Sequence, residues 1–371
     1  EAYVLAGTGS LLSPRAIERN EPSDWHGQGH GADWIAIGPA SLLDAVRPLA
    51  DLRQEQGLRP ALADVQDVYD EFTGGLADPV ALRAFLRLAA PRFCLLVGDG
   101  TSDPHGWLGP TNDLVPAPMV QMDLLWSASD NWYAAVSGDD LLPDLSIGRL
   151  PVRTPTEVSA IVAKIRTESE PVPDWARNVS FVADNDDGVY DFTRAVRAEA
   201  AIVGGDRTVE TLLLGELGAV ATAARIRTAF AGGRTLVAYT GHGDTVRWAR
   251  EGVLSSIGVP TLGNEGRYGL VTAMGCMNGM YHLPASDCLG EALLRTDRAG
   301  ALAFWGSTTL ADPIAQEETF REVLRVLFQE GGRTIGEAFD EAKVRTWGGG
   351  FERNDLVQSW VLLGDPATRL R

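Results

Sequence analysis

The sequence predicts an α/β fold made of two doubly wound sub-domains, with mostly parallel sheets flanked by helices. Three observations predict it. Short apolar runs alternate with amphipathic stretches along most of the 371 residues. Many of those runs lack the in-out alternation of a half-exposed strand and read as strands covered on both faces. Several then end in a glycine next to Asp, His or Cys, residues that turn a buried strand out to solvent.

Residues 1–33 mix Gly, Pro, Ser and His with no period and read as an irregular lead-in, in which Tyr3-Val4-Leu5-Ala6 can add a strand. The first sub-domain, 34–152, opens with the strand Trp34-Ile35-Ala36-Ile37, closed by Gly38-Pro39. A helix from Ser41 to Gln56 follows and stops at Gly57. Asp78-Pro79 supplies an N-cap and a first-turn proline for a helix to about Ala89. Phe93 to Val97 is a fully apolar strand, Trp132 to Val136 reads as another, and Asp144-Leu145-Ser146-Ile147-Gly148-Arg149 completes the set. The second sub-domain, 153–371, begins with a helix from Thr156 to about Glu168. Strands follow at Val179–Ala183, Arg207–Leu213, Thr235–Tyr239, Tyr268–Met274 and Ala301–Trp305. Helices are predicted at Tyr190–Val203, Val220–Phe230, Asp287–Thr296, Ile314–Phe328 and Ile335–Thr346.

Composition excludes several function classes. Lys and Arg number 32 against 50 Asp and Glu, a formal charge of −18, which argues against nucleic acid or an anionic membrane surface as the main partner. No run reaches the roughly 18 to 20 apolar residues of a membrane span. Cys94, Cys276 and Cys288 are too few for a disulfide scaffold and wrongly spaced for a zinc finger. No glycine-rich turn reads as a nucleotide-binding fingerprint.

In open parallel sheets ligands sit beyond the carboxyl ends of the strands. The tips here read Gly98-Asp99-Gly100, Asp184-Asn185-Asp186-Asp187-Gly188, Gly241-His242-Gly243, Gly275-Cys276 and Gly306-Ser307-Thr308. His242 and Cys276 form a chemically matched pair, separated by about one strand-crossover-strand unit, so they can cap neighbouring strands. An imidazole can take the proton of a thiol, and amides beside Gly243 and Cys276 can face a developing oxyanion. The bland alternative is that Cys276 is a small buried hydrophobe. Cys94, inside an apolar strand, and Cys288, at a helix start, read as structural, and His282 as a surface or cleft residue. The carboxylates of Asp184, Asp186 and Asp187 suit either a hard cation or a solvated turn.

The ordered set Tyr239-Thr240-Gly241-His242-Gly243, Leu262-Gly263-Asn264, Ala273-Met274-Gly275-Cys276-Met277-Asn278-Gly279 and Cys288-Leu289-Gly290-Glu291 resembles the gingipain-type cysteine peptidases, peptidase family C25, of the caspase-like clan. Leu95-Leu96-Val97-Gly98-Asp99-Gly100, Pro143-Asp144-Leu145-Ser146-Ile147-Gly148-Arg149 and Leu362-Leu363-Gly364-Asp365-Pro366 extend the resemblance over about 33–371.

The resemblance implies a caspase-like α/β module acting as a cysteine endopeptidase through a Cys-His dyad and an acyl-enzyme. Cys276 would be the nucleophile, His242 the base, and Asp144, just ahead of Ile147-Gly148-Arg149, the carboxylate that orients the histidine. The Gly243 and Cys276 amides would form the oxyanion hole. Specificity for a basic residue before the cut bond would draw on Glu157, which is otherwise a first-turn helix acid. Trp248, Trp305 and Ser307 would line the substrate cleft, or pack. Catalysis would need no cofactor and no metal, with a structural calcium ion at an acidic loop.

The expected partner is a protein or peptide substrate, with no nucleic acid and no membrane span. The resemblance also implies a pro-segment or additional domains outside this chain and a secreted or cell-surface setting, the cytoplasm being the alternative. Alternatives to hydrolysis are a catalytically silent binding scaffold, a sortase-like transpeptidase using the same thiol, and a metal-dependent hydrolase built on Asp99 and the 184–187 carboxylates.

Overall fold

The computed structural model describes residues 20, 22–27, 31–169, 171–347 and 354–371; the strand expected at Tyr3–Ala6 lies outside them. The main sheet has ten strands, numbered here in chain order: β1 Trp34–Gly38, β2 Pro60–Asp64, β3 Phe93–Val97, β4 Ser146–Leu150, β5 Asn178–Ala183, β6 Thr208–Leu213, β7 Leu236–Thr240, β8 Leu270–Met274, β9 Ala303–Ser307 and β10 Trp360–Leu363. Their spatial order is β2-β1-β3-β4-β10-β9-β8-β7-β5-β6. β1, β3, β7, β8 and β9 are buried along their whole length, which is why they read as uninterrupted apolar runs.

The two expected sheets are one. β10, the last strand of the chain, pairs in parallel with β4 and antiparallel with β9. The sheet therefore consists of two parallel halves running in opposite directions, welded at β10 and β9. Neither β10 nor β2 is among the expected strands, and the 153–371 unit lends β10 to the half of the sheet that 34–152 begins.

Nine helices of seven residues or more cover the sheet among the described residues: α1 Ala40–Glu55, α2 Val65–Thr73, α3 Pro79–Ala89, α4 Pro155–Arg166, α5 Phe192–Ala200, α6 Ala219–Gly232, α7 Leu289–Arg295, α8 Pro313–Arg325 and α9 Ile335–Trp347. One continuous apolar layer joins α1, α4, α6 and α7 to one face. On the other face α2 and α3 pack over the first half, and α5, α8 and α9 over the second. No helix among the described residues is long and apolar enough to cross a membrane.

The strand expected at Trp132–Val136 is instead a short helix, Asn131–Ala134. Turn chemistry outweighs the aromatic preference for strands there. The amide of Trp132 donates to Ser129 Oγ at 3.3 Å and to the Ser129 carbonyl at 3.1 Å, and that of Tyr133 to the Asp130 carbonyl at 3.0 Å.

Candidate active site

Three consecutive strands of the second half build the site. β5, β7 and β8 are neighbours in the sheet, with Ala183 opposite Thr240 and Thr240 opposite Met274. The tips that follow them carry Asp184–Asp187, His242 and Cys276, so three segments far apart in sequence leave one edge together. Two glycines allow the His242 and Cys276 tips to touch. A Cβ on Gly275 would stand 2.5 Å from the Gly241 carbonyl oxygen, and one on Gly243 would stand 2.8 Å from the Cys276 carbonyl oxygen. Asn278 ties the same loops, its Nδ2 donating to the carbonyls of Asp244 at 2.6 Å and Arg247 at 3.2 Å.

His242 and Cys276 line one cavity of about 240 Å³ at these tips, together with Asp187, Tyr190, Phe192 and Met274. The imidazole Nε2–H donates to Asp187 Oδ2 at 2.9 Å, and the ring packs edge-on to Phe192 at 5.3 Å between centroids. Asp187 Oδ1 accepts the amides of Tyr190 and Val189 at 2.8 and 2.7 Å, and those bonds hold its carboxyl below the usual range. Behind the ring, buried Asp184 accepts the His242 amide at 2.9 Å. Tyr239 Oη sits 3.1 Å from Asp184 Oδ2 and 2.5 Å from the His242 carbonyl oxygen. The imidazole is thus set by a carboxylate on its ring and by a rigid backbone anchor beneath it.

The sulfur has a different partner. Cys276 Sγ accepts the amide of Ala311 at 3.4 Å. Burial pushes the thiol up from its ordinary value, and the Ala311 amide works against that shift. The sulfur lines the same cavity as the imidazole without sharing a hydrogen bond with it.

Other expected site residues lie elsewhere. Asp144 precedes β4, four strand positions from β7, which is about 19 Å at ~4.8 Å per strand. Its Oδ2 accepts the amides of Val136 and Ser137 at 2.8 and 2.7 Å. The carboxylate on the imidazole is Asp187, so the structure does not give Asp144 the orienting role. Glu157 closes a capping box at the start of α4, accepting the amides of Arg153 and Thr154, and lines neither cavity at Cys276.

Trp248 is fully buried and stacks on Tyr239 at 4.7 Å, so it braces the His242 loop from behind instead of walling a cleft. Trp305 is core, stacked on Phe339 at 4.3 Å. Ser307, also buried, donates to the Thr309 carbonyl at 3.0 Å. His282, expected at the surface or in the cleft, is buried and lines neither cavity at Cys276, and burial pushes it down to about 4. Cys94 and Cys288 are buried as expected. Among the described residues no group of three or more His, Cys, Asp or Glu side chains is placed to hold a metal ion; both oxygens of Asp184 and of Asp187, and Oδ1 of Asp186, accept protein donors.

Gln316 was not among the expected residues, yet it lines this cavity and a second, larger one beside Cys276. Nothing in the sequence marks it, because it sits on the first turn of α8, away from any strand tip. Asp187 was readable as part of an acidic tip, but not as the partner of an imidazole.

A thiol and an imidazole thus stand on adjacent strand tips and line one cavity, with the Asp187 carboxylate on the imidazole Nε2. The chain belongs to peptidase family C25, whose family model matches residues 28–371. Its sequence is 22% identical over 91% of the chain to gingipain R2 of Porphyromonas gingivalis and 23% identical over 88% to gingipain R1 of the same organism. It spans 46% and 33% of those two proteins, less than half of each.

The fold is similar to that of the Arg-specific cysteine proteinase gingipain R, with a TM-score of 0.76 at 19% identity over 95% of this chain and 80% of that one. It is similar too to latent PorU from Porphyromonas gingivalis, with a TM-score of 0.51 at 16% identity over 93% of this chain and 30% of that one.

Proposed function

We propose that this chain is the catalytic part of a cysteine endopeptidase. The observation that carries the reading is the single cavity shared by Cys276 and His242, with Asp187 on Nε2. A proton held on Nε2 by the carboxylate leaves Nδ1 as the basic nitrogen. In this reading the thiol is activated when substrate arrives. Nδ1 takes the Sγ proton as sulfur attacks the peptide carbonyl, the imidazolium returns it to the departing amine, and water then cleaves the thioester. The amides of Gly243 and Cys276, brought together by the glycine contacts at the tips, stabilise the oxyanion.

Cleavage after a basic residue belongs to the same proposal. The cavity at the tips is walled by Tyr190, Phe192 and Met274, and the likeness to an Arg-specific cysteine proteinase supports a basic side chain as its occupant. A pro-segment outside this chain and an exported setting are part of it as well; the solved relatives include a complex of pro- and mature domains of RgpB from Porphyromonas gingivalis.

The test is to profile cut sites in a denatured proteome with the wild type beside Cys276→Ala. The expected result is cleavage after Arg or Lys that vanishes in the variant; equal digestion by both proteins rejects the reading. A second reading, a silent binding scaffold, draws support from the Ala311 amide being the sulfur's partner in place of the imidazole. It requires the wild type to cut nothing.

A further inference from the structure

Two cavities meet at Cys276. The smaller holds His242. The larger is of about 710 Å³, and Cys276, Ala311 and Gln316 line both. Leu124, Leu310, Ile314, Leu356 and Trp360 give the larger one its apolar walls. Three of these are unusually exposed for large apolar residues: Leu124 at 68%, Ile314 at 56% and Leu310 at 37%. Scattered exposed leucines need no explanation, but a group of them facing one cavity marks a binding surface. The carboxylates along it are partly spent on the backbone: Asp312 accepts the Ala315 amide at 2.8 Å and Asp355 that of Asp123 at 2.7 Å.

We infer that this larger cavity is a second substrate subsite, which takes a bulky apolar residue flanking the cleaved bond, and that Gln316 binds the peptide backbone where it crosses between the two cavities. The inference rests on the peptidase reading. The occupant follows from continuity with the sulfur: a carbonyl placed on Sγ puts the adjoining residues where the two cavities meet, and an extended chain sends successive side chains to opposite sides. Gln316 supplies an independent sign. It is 4% exposed, and its Oε1 is buried with no hydrogen-bond partner. A buried acceptor left unpaired is costly, and a main-chain N–H of the bound peptide satisfies it.

The experiment uses peptides with one basic residue at the cut and Gly, Leu, Phe or Glu at each flanking position. In the wild type, kcat/KM for Leu or Phe exceeds that for Gly by about tenfold or more at one flanking position. In Ile314→Asp and Leu124→Asp, both exposed sites, that ratio falls toward one while the preference for the basic residue stays. In Gln316→Met, kcat/KM falls for all peptides alike, since a backbone contact is lost. A flat flanking profile in an active wild type, or a ratio that survives both aspartates, overturns the subsite and leaves the peptidase reading standing.

Binding keeps the two separable. Cys276→Ala protein should bind the Leu peptide more tightly than the Gly peptide, and the double variant with Ile314→Asp should not. If the wild type proves inactive, that difference still supports the subsite and its absence still removes it.

Discussion

The two halves of the sheet share one grammar of buried strands and covering helices, and differ in what the chain does with charge where its strands meet loops. In the first half the buried charges at the ends of β3 and β4 are met by others. Asp99, at the tip of β3, binds Arg153 at 2.7 Å and Arg295 at 3.2 Å. Fully buried Arg149 on β4 forks onto Asp130 at 2.9 and 2.8 Å and donates to the carbonyls of Gly98, Val115 and Pro116, while Tyr281 donates to the same Asp130 at 2.7 Å. In the second half the tips stay open: the His242 side chain is 59% exposed, Asp187 31%, and both face a cavity with a sulfur on its wall. The fold thus supplies equivalent edges, and the proposed chemistry falls on the edge whose charged groups stay open to solvent.

The sharpest way to break this comparison is to delete one group from each half. His242→Ala should lower peptide turnover by at least about a hundredfold, the usual share of a general base, while the unfolding free energy from urea melts changes by less than about 1 kcal/mol. Asp130→Ala should do the reverse in kind, losing about 3–5 kcal/mol of stability because it strands the Arg149 guanidinium in the interior. If the two variants show the same balance of lost activity and lost stability, the contrast between the halves is wrong.

A second pair of variants sharpens the assignment of the carboxylate. Asp187→Asn should lower kcat/KM by about a hundredfold and change its dependence on pH, because the amide no longer fixes the ring tautomer. Asp144→Ala should leave kcat/KM within about twofold and cost about 1–2 kcal/mol, since the Val136 and Ser137 amides lose their acceptor. Steady-state kinetics with one fluorogenic peptide and urea melts of both proteins decide it; a large kinetic loss only in Asp144→Ala restores the residue that the family resemblance implies.

That pair also shows where sequence reasoning ends. His242 and Cys276 were legible because each follows an apolar strand and is flanked by glycine, signals that are local. Which strands become neighbours is not local. Asp144 and Asp187 each sit near a strand end, and only the order β8-β7-β5 brings one of them to the imidazole. For Trp248 and Trp305 the sequence leaves cleft and packing as alternatives, because a position after a strand does not say which way the side chain turns; both tryptophans pack, and Ser307 is buried with them. Glu157 takes the second of the two roles the sequence offers, a first-turn helix acid, and there it closes a capping box with Thr154. β10 escaped because the glycine-rich stretch before it obscures a four-residue strand whose role, joining two opposed half-sheets, depends wholly on partners more than fifty residues away.

The smallest expected effect concerns a charge the second half lacks beneath its open edge. Glu199 on α5 is fully buried; its Oε2 accepts Thr240 Oγ1 at 2.9 Å, and its Oε1 has no partner. Where Arg149 and Asp130 cancel in the first half, Glu199 has no direct cation. Burial is the largest cause that pushes it up to about 8; Glu317 adds to the rise, and Arg321 and Arg194 oppose it. A carboxyl raised in the folded state stays protonated there while the unfolded chain ionises. Its contribution to stability is complete below the unfolded value near 4.5 and drains away as pH rises toward 8. Glu199→Gln keeps an acceptor for Thr240 and cannot ionise. Urea melts at pH 5, 6, 7 and 8 should show the wild type losing stability relative to the variant by no more than about 1.4 kcal/mol per pH unit. Parallel curves would mean that Glu199 is ionised in the native protein, and that the second half, like the first, neutralises what it buries.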